Sequence, residues 1–129
     1  MFAKTVKVNI QGTEYHLAYT AGAMFAIMDL LGDKELMTVM MDSTGKEFAS
    51  VCQIAEILSQ SAEKLRVYEG QKAGEILSAD ALLIRARPVD LLALKTAMTQ
   101  AVAFGYGREV VNEEDEVDLG LAELQKKTE

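Results

Sequence analysis

The first thirty-two residues constrain the fold of this chain more than any other stretch. From Lys4 to Ile10 the chain alternates, with Val6, Val8 and Ile10 on one side of a period-two pattern and Thr5, Lys7 and Asn9 on the other. Gln11-Gly12-Thr13 interrupts the pattern, and Tyr15, Leu17 and Tyr19 resume it. Alternation with β-branched residues on one side marks a half-buried strand. Gly12 supplies the positive φ that a tight hairpin turn requires. Thr20 then precedes an apolar run from Ala21 to Leu31, and Gly32 follows it. Thr is a good N-cap because its hydroxyl accepts an orphan amide of the first turn, and Gly is a good helix stop. A hairpin feeding directly into a helix sets an α+β class.

Downstream, the pattern is helical. Asp33 is placed to cap a short second helix in which Leu36, Val39 and Met40 face inward. Thr44-Gly45-Lys46-Glu47 matches a capping box, in which Thr and Glu satisfy each other's free amides. The helix after it carries a stripe of Phe48, Val51, Cys52, Ala55, Leu58, Ala62 and Leu65, and persists to about Tyr68, with Gly70 beyond. Residues 71–77 are ambiguous, since Gly74 costs a helix about 1 kcal/mol relative to Ala. Ser78 or Asp80 starts a short helix over Ala81 to Ala86. Pro88, the only proline, fits the first position of a last helix that ends at Gly105 or Gly107. The sequence therefore predicts a hairpin followed by a small bundle of about four to five α-helices.

The charge is unevenly placed. Residues 109–129 hold eight acids and two lysines, and so carry -6 of the net -7; residues 1–108 carry only -1. The run Glu113-Glu114-Asp115-Glu116-Val117-Asp118 repels itself if packed. One domain over residues 1–108 and a mobile acidic C-terminal tail over 109–129 follow. Acidity disfavours both nucleic acid and anionic membrane surfaces. The run from Ala21 to Leu31 is too short to cross a bilayer. Met1-Phe2-Ala3-Lys4 leads straight into the strand pattern, so no signal peptide is expected. A cytosolic protein is expected, and the single cysteine, Cys52, agrees with a reducing compartment.

Chemistry-bearing residues are few. Nucleophilic catalysis needs a hydroxyl or thiol beside a base. His16, the only histidine, falls on the strand side opposite Tyr15 and Leu17, and Cys52 lies on an apolar helical stripe. Both read as structural. A zinc site needs several Cys or His ligands at close spacing, and the acid run lacks the spacing and the turn glycine of a calcium loop. No enzyme, cofactor or metal site is expected. Arg85 and Arg87 flank the Pro88 boundary and read as solvated helix-end charges. Met24, Met28, Met37, Met40 and Met41 cluster in the first two helices. They suit an irregular core or an adaptable groove, because Met is unbranched and polarisable.

The layout as a whole resembles the tail assembly chaperones of long-tailed bacteriophages and prophages. The resemblance is carried by Glu14-Tyr15-His16-Leu17, the Thr20 to Leu31 helix with Gly32-Asp33-Lys34, Ser78-Ala79-Asp80, Arg87-Pro88-Val89-Asp90 and Ala103-Phe104-Gly105, and covers about residues 4–107. It implies a non-enzymatic protein of the host cytoplasm that binds the long, largely helical tape-measure protein, keeps it soluble and helps tail-tube subunits gather. The tail-tube protein and a second copy of the chain are further candidate partners. The alternatives are a head–tail connector or tail-completion subunit, and a small cytosolic adaptor. For a partner helix, the residues expected to line the groove are Met24, Met28, Met40 and Phe48. Met and aromatic side chains bury much area and adapt in shape.

Overall fold

The hairpin turn shows how tightly this fold is specified. The computed structural model describes residues 4–108; the expectations for the acidic tail lie outside the described residues. Strand β1 (Val6–Ile10) pairs antiparallel with β2 (Thr13–Leu17), in the register Val6↔Leu17, Val8↔Tyr15 and Ile10↔Thr13. Only Gln11 and Gly12 remain for the turn, both at positive φ, 52° and 91°. A two-residue turn of that sense matches the right-handed twist of the strands. Gly12 adopts the conformation freely, whereas Gln11 is held there by side-chain bonds described below.

Five helices follow among the described residues: α1 (Ala21–Leu31), α2 (Leu36–Met40), α3 (Phe48–Tyr68), α4 (Ala79–Arg85) and α5 (Pro88–Gly105). The fold is α+β, with the hairpin ahead of the helices. The inner face of β1, formed by Val6, Val8 and Ile10, lies against α5, and β2 lies against α3. The amide of Ala18 donates to the carbonyl of Leu58 at 3.1 Å, which pins the exit of the hairpin onto the middle of α3. Leu17, Ile27, Met40, Ile54, Leu58, Leu94 and Met98 are the large, fully buried side chains at the centre. Each contributes about 2 kcal/mol by leaving water. None of the described helices is long and apolar enough to cross a membrane.

Several local expectations are met. Thr20 Oγ1 accepts from the Ala23 amide at 3.1 Å, Gly32 ends α1 at φ 62°, and Pro88 opens α5. Others are corrected. Glu35, not Asp33, caps α2, by accepting from the amides of Met37 and Thr38. The Thr44–Glu47 capping box does not form. Asp42 captures both members: its carboxylate accepts from the Thr44 hydroxyl and from the Glu47 amide, and α3 starts one residue after Glu47. The buried edge of α1 (Ala23, Ile27, Leu31) packs on α3 and α2 rather than under the hairpin.

The segment between α3 and α4 forms neither helix nor strand. It runs along α3 and is fastened by side chains of that helix. Ala79 N–H donates to Glu56 at 2.7 Å, Leu77 N–H to Ser59 Oγ at 2.9 Å and Gly74 N–H to Glu63 at 2.6 Å. Glu56, Ser59 and Glu63 recur at helical spacing on one flank of α3, so they serve as a ladder for a strap that has no strand partner.

Candidate functional site

The four residues expected to line a groove do not meet. Met40 is 1% exposed and belongs to the core, so it is withdrawn from the candidate binding face. Core and groove readings of the methionines share one periodicity, and only packing separates them. Phe48 is half-buried at a cleft with Val51, Leu91 and Lys95, whose ammonium donates to the Asp42 carbonyl at 2.7 Å. Met24 is partly buried, with its sulfur 4.0 Å from the Tyr106 hydroxyl. Met28 alone of the four stands well out, at 57% exposed.

What α1 does present is a different outward face. Phe25, at 62% exposed, and Met28 lie three residues apart, opposite the buried Ala23, Ile27 and Leu31. Such spacing places both on one side of a helix. The helix carries a single charge, Asp29. Beside it, a groove of about 390 Å³ runs between α1 and α3, bordered by Gly22 and Ala26 on one bank and by Ile57, Gln60, Ser61 and Lys64 on the other. Small residues on the α1 bank bring its backbone close to the surface. Sequence reading passed over Phe25, because an apolar helix shows no outward face until its neighbours are placed.

The groove opens at Thr20 and Leu65 into a second hollow of about 350 Å³ at the C-terminal end of α5. Lys4, Phe104 and Arg108 lie on its wall. The Lys4 ammonium sits 5.5 Å from the centre of the Phe104 ring, and the Arg108 guanidinium 5.9 Å from that of Tyr106. Tyr19 and Tyr106 meet with ring centres 5.5 Å apart. Burial, then the Tyr106 hydroxyl, pushes the Tyr19 phenol up, so it remains a neutral donor. Gly105 makes this junction possible. A Cβ there would stand 2.7 Å from the Tyr19 ring and collide with its backbone carbonyl.

At the other end of the hairpin, the tip is held by polar groups. The Gln11 amide donates to the Arg85 carbonyl and to Asp90, both at 2.9 Å, and accepts from the Arg85 guanidinium at 3.0 Å. Asp90, 5% exposed, also receives the Arg87 amide and guanidinium. The Arg87 side chain, more than its own backbone amide and the Gln11 amide, holds the Asp90 carboxyl well below the usual carboxylate range. Arg85 and Arg87 are thus engaged with the fold, not solvated helix ends.

The residues with chemical potential lie apart. Cys52 is fully buried, and burial pushes its thiol up to about 11, away from the reactive thiolate. His16 bonds Thr5 Oγ1 through Nδ1 at 2.8 Å and lies 3.3 Å from Glu14 through Nε2. Burial and the nearby Arg66 lower its pKa, against the opposing pull of Glu63 and Glu14. Among the described residues, no three of His, Cys, Asp and Glu gather closely enough to hold a metal ion. The surface is suited to covering apolar helix, with no group placed to make or break a bond. Neither a family model, nor a curated protein, nor a solved structure matches the chain.

Proposed function

We propose that this protein is a non-catalytic tail assembly chaperone that covers an apolar helical stripe of a tape-measure protein in the host cytoplasm. The observation that carries this reading is the outward pair Phe25 and Met28 beside the α1–α3 groove. Apolar side chains on a rigid helix next to a cleft form a receiving surface for an amphipathic helix, whose anchors recur every three or four residues. A tape-measure chain needs such cover, since long exposed apolar stripes invite aggregation. The weak resemblance of residues 4–107 to tail assembly chaperones supplies the partner; the apolar face supplies the mode.

Co-expression with the tape-measure protein encoded beside it tests the reading. The double variant Phe25→Asp, Met28→Asp is expected to lose co-purification while keeping a cooperative thermal transition, because both side chains already face water. Undiminished co-purification of the folded variant overturns this face. Failure of the unaltered protein to bind any tape-measure segment overturns the function.

A further inference from the structure

The groove between α1 and α3 and the hollow at the end of α5 share Thr20 and Leu65, so they form one trough. Its lining has an unusual charge. Lys4, Lys64 and Arg108 border it, and no acid does, in a chain of net charge -7. Its floor is apolar, with Leu17, Leu65, Ala101 and Phe104. The chain continues past Arg108, at the mouth of the trough, into residues 109–129, which carry -6. That segment also contains Leu119, Leu121 and Leu124. Ten residues beyond Arg108 span up to about 35 Å when extended. The bank from Leu65 back to Ile57 needs only about 12 Å at helical rise. Position, charge and apolar content thus coincide in one occupant.

We propose that residues 109–129 dock along this trough in the same molecule, their acids beside Lys64 and Arg108 and their leucines over the apolar floor. The proposal goes beyond the chaperone reading and does not depend on it. The docked segment covers the trough until something displaces it, so the acidic tail acts as an internal competitor for whatever else the trough accepts.

The test uses the full chain with Gln125→Cys carrying a nitroxide; Cys52 is buried with its thiol raised, and does not compete for the label. Amide signals of Ser61, Leu65 and Phe104 are expected to lose intensity several-fold relative to the reduced label, while those of Asn9, Gly12 and Arg85 at the hairpin tip do not. Lys64→Glu with Arg108→Glu is expected to bring the trough signals back to the level of the tip. Both side chains are exposed, and an unchanged spectrum elsewhere verifies the fold. In the unsubstituted body, raising salt to about 1 M, where the Debye length is about 3 Å, is expected to weaken the effect as well. Equal broadening at trough and tip overturns the proposal. So does broadening that survives both charge reversal and salt. Mixing labelled, isotope-free chains with unlabelled, isotope-enriched ones is expected to give no broadening; an effect seen only there assigns the trough to a second copy and overturns the proposal too.

Discussion

Helix α3 has two flanks, and they are finished in opposite ways. On one flank, Glu56, Ser59 and Glu63 meet the backbone amides of Ala79, Leu77 and Gly74. Arg66 closes on Glu63 at 2.7 Å and on Gln71 at 3.3 Å. On the other flank, α1 packs through small apolar residues and leaves a groove whose walls bond to nothing across it. The first flank is directional and complete; among the described residues, no buried side-chain polar atom lacks a partner. The second is non-directional and open. A protein that must hold its own loop and also accept another chain needs both surfaces, and here one helix carries them back to back.

The contrast is sharpest at Glu63, which is 3% exposed. Glu63→Ala leaves Arg66 and the Gly74 amide without their acceptor, and removing one partner of a buried pair costs about 3 kcal/mol. A chemical denaturation curve is expected to show that loss. A change within error would mean that the strap is not held by its bonds. Ser59→Ala removes one neutral bond to Leu77 and is expected to cost about 1 kcal/mol by the same measurement. A larger loss than for Glu63→Ala would reverse the order of importance along the strap. On the open flank, Phe25→Asp alone is expected to stay within about 0.5 kcal/mol of the unaltered protein, as exposed substitutions do. A loss of several kcal/mol would show that this face is core after all.

The smallest effect concerns pH. The folded state lowers the pKa of His16, through burial first and then Arg66. The neutral ring is therefore the form the fold prefers. Its contribution is present above the ordinary histidine value of 6.5 and is lost as pH falls below it, where the unfolded chain takes up protons more readily. Urea midpoints measured downward from neutral pH are expected to fall more steeply for the unaltered protein than for His16→Gln. Parallel slopes would sever His16 from the electrostatics of the α3 terminus.

The unequal legibility of the two flanks in the sequence has a physical cause. Period-two and period-3.6 patterns are local, and they disclosed the hairpin, Thr20 as a cap, the span of α3 and Pro88 at the head of α5. The strap was ambiguous because its bonds join side chains to backbone amides 11, 18 and 23 positions away, and residue type alone does not encode such pairing. Thr44 and Glu47 match a capping box, yet Asp42, two residues before Thr44, competes for the same donors and wins. Methionine was the poorest guide. Met28 and Met40 are identical in type and similar in setting, and one is in water while the other is in the core.

The packing of α5 against β1 has a consequence for the order of synthesis. Gln11 and Asp90 are 79 positions apart, and the last helix covers the first strand. A ribosome adding about 5–20 residues per second needs several seconds to connect the two. Through that interval Val6, Val8 and Ile10 lack their final cover, although β2 and α3 have already been made. The nascent chain thus completes its earliest surface last. Newly made copies sharing one polysome pass through a stage in which their hairpins can meet each other before each meets its own α5.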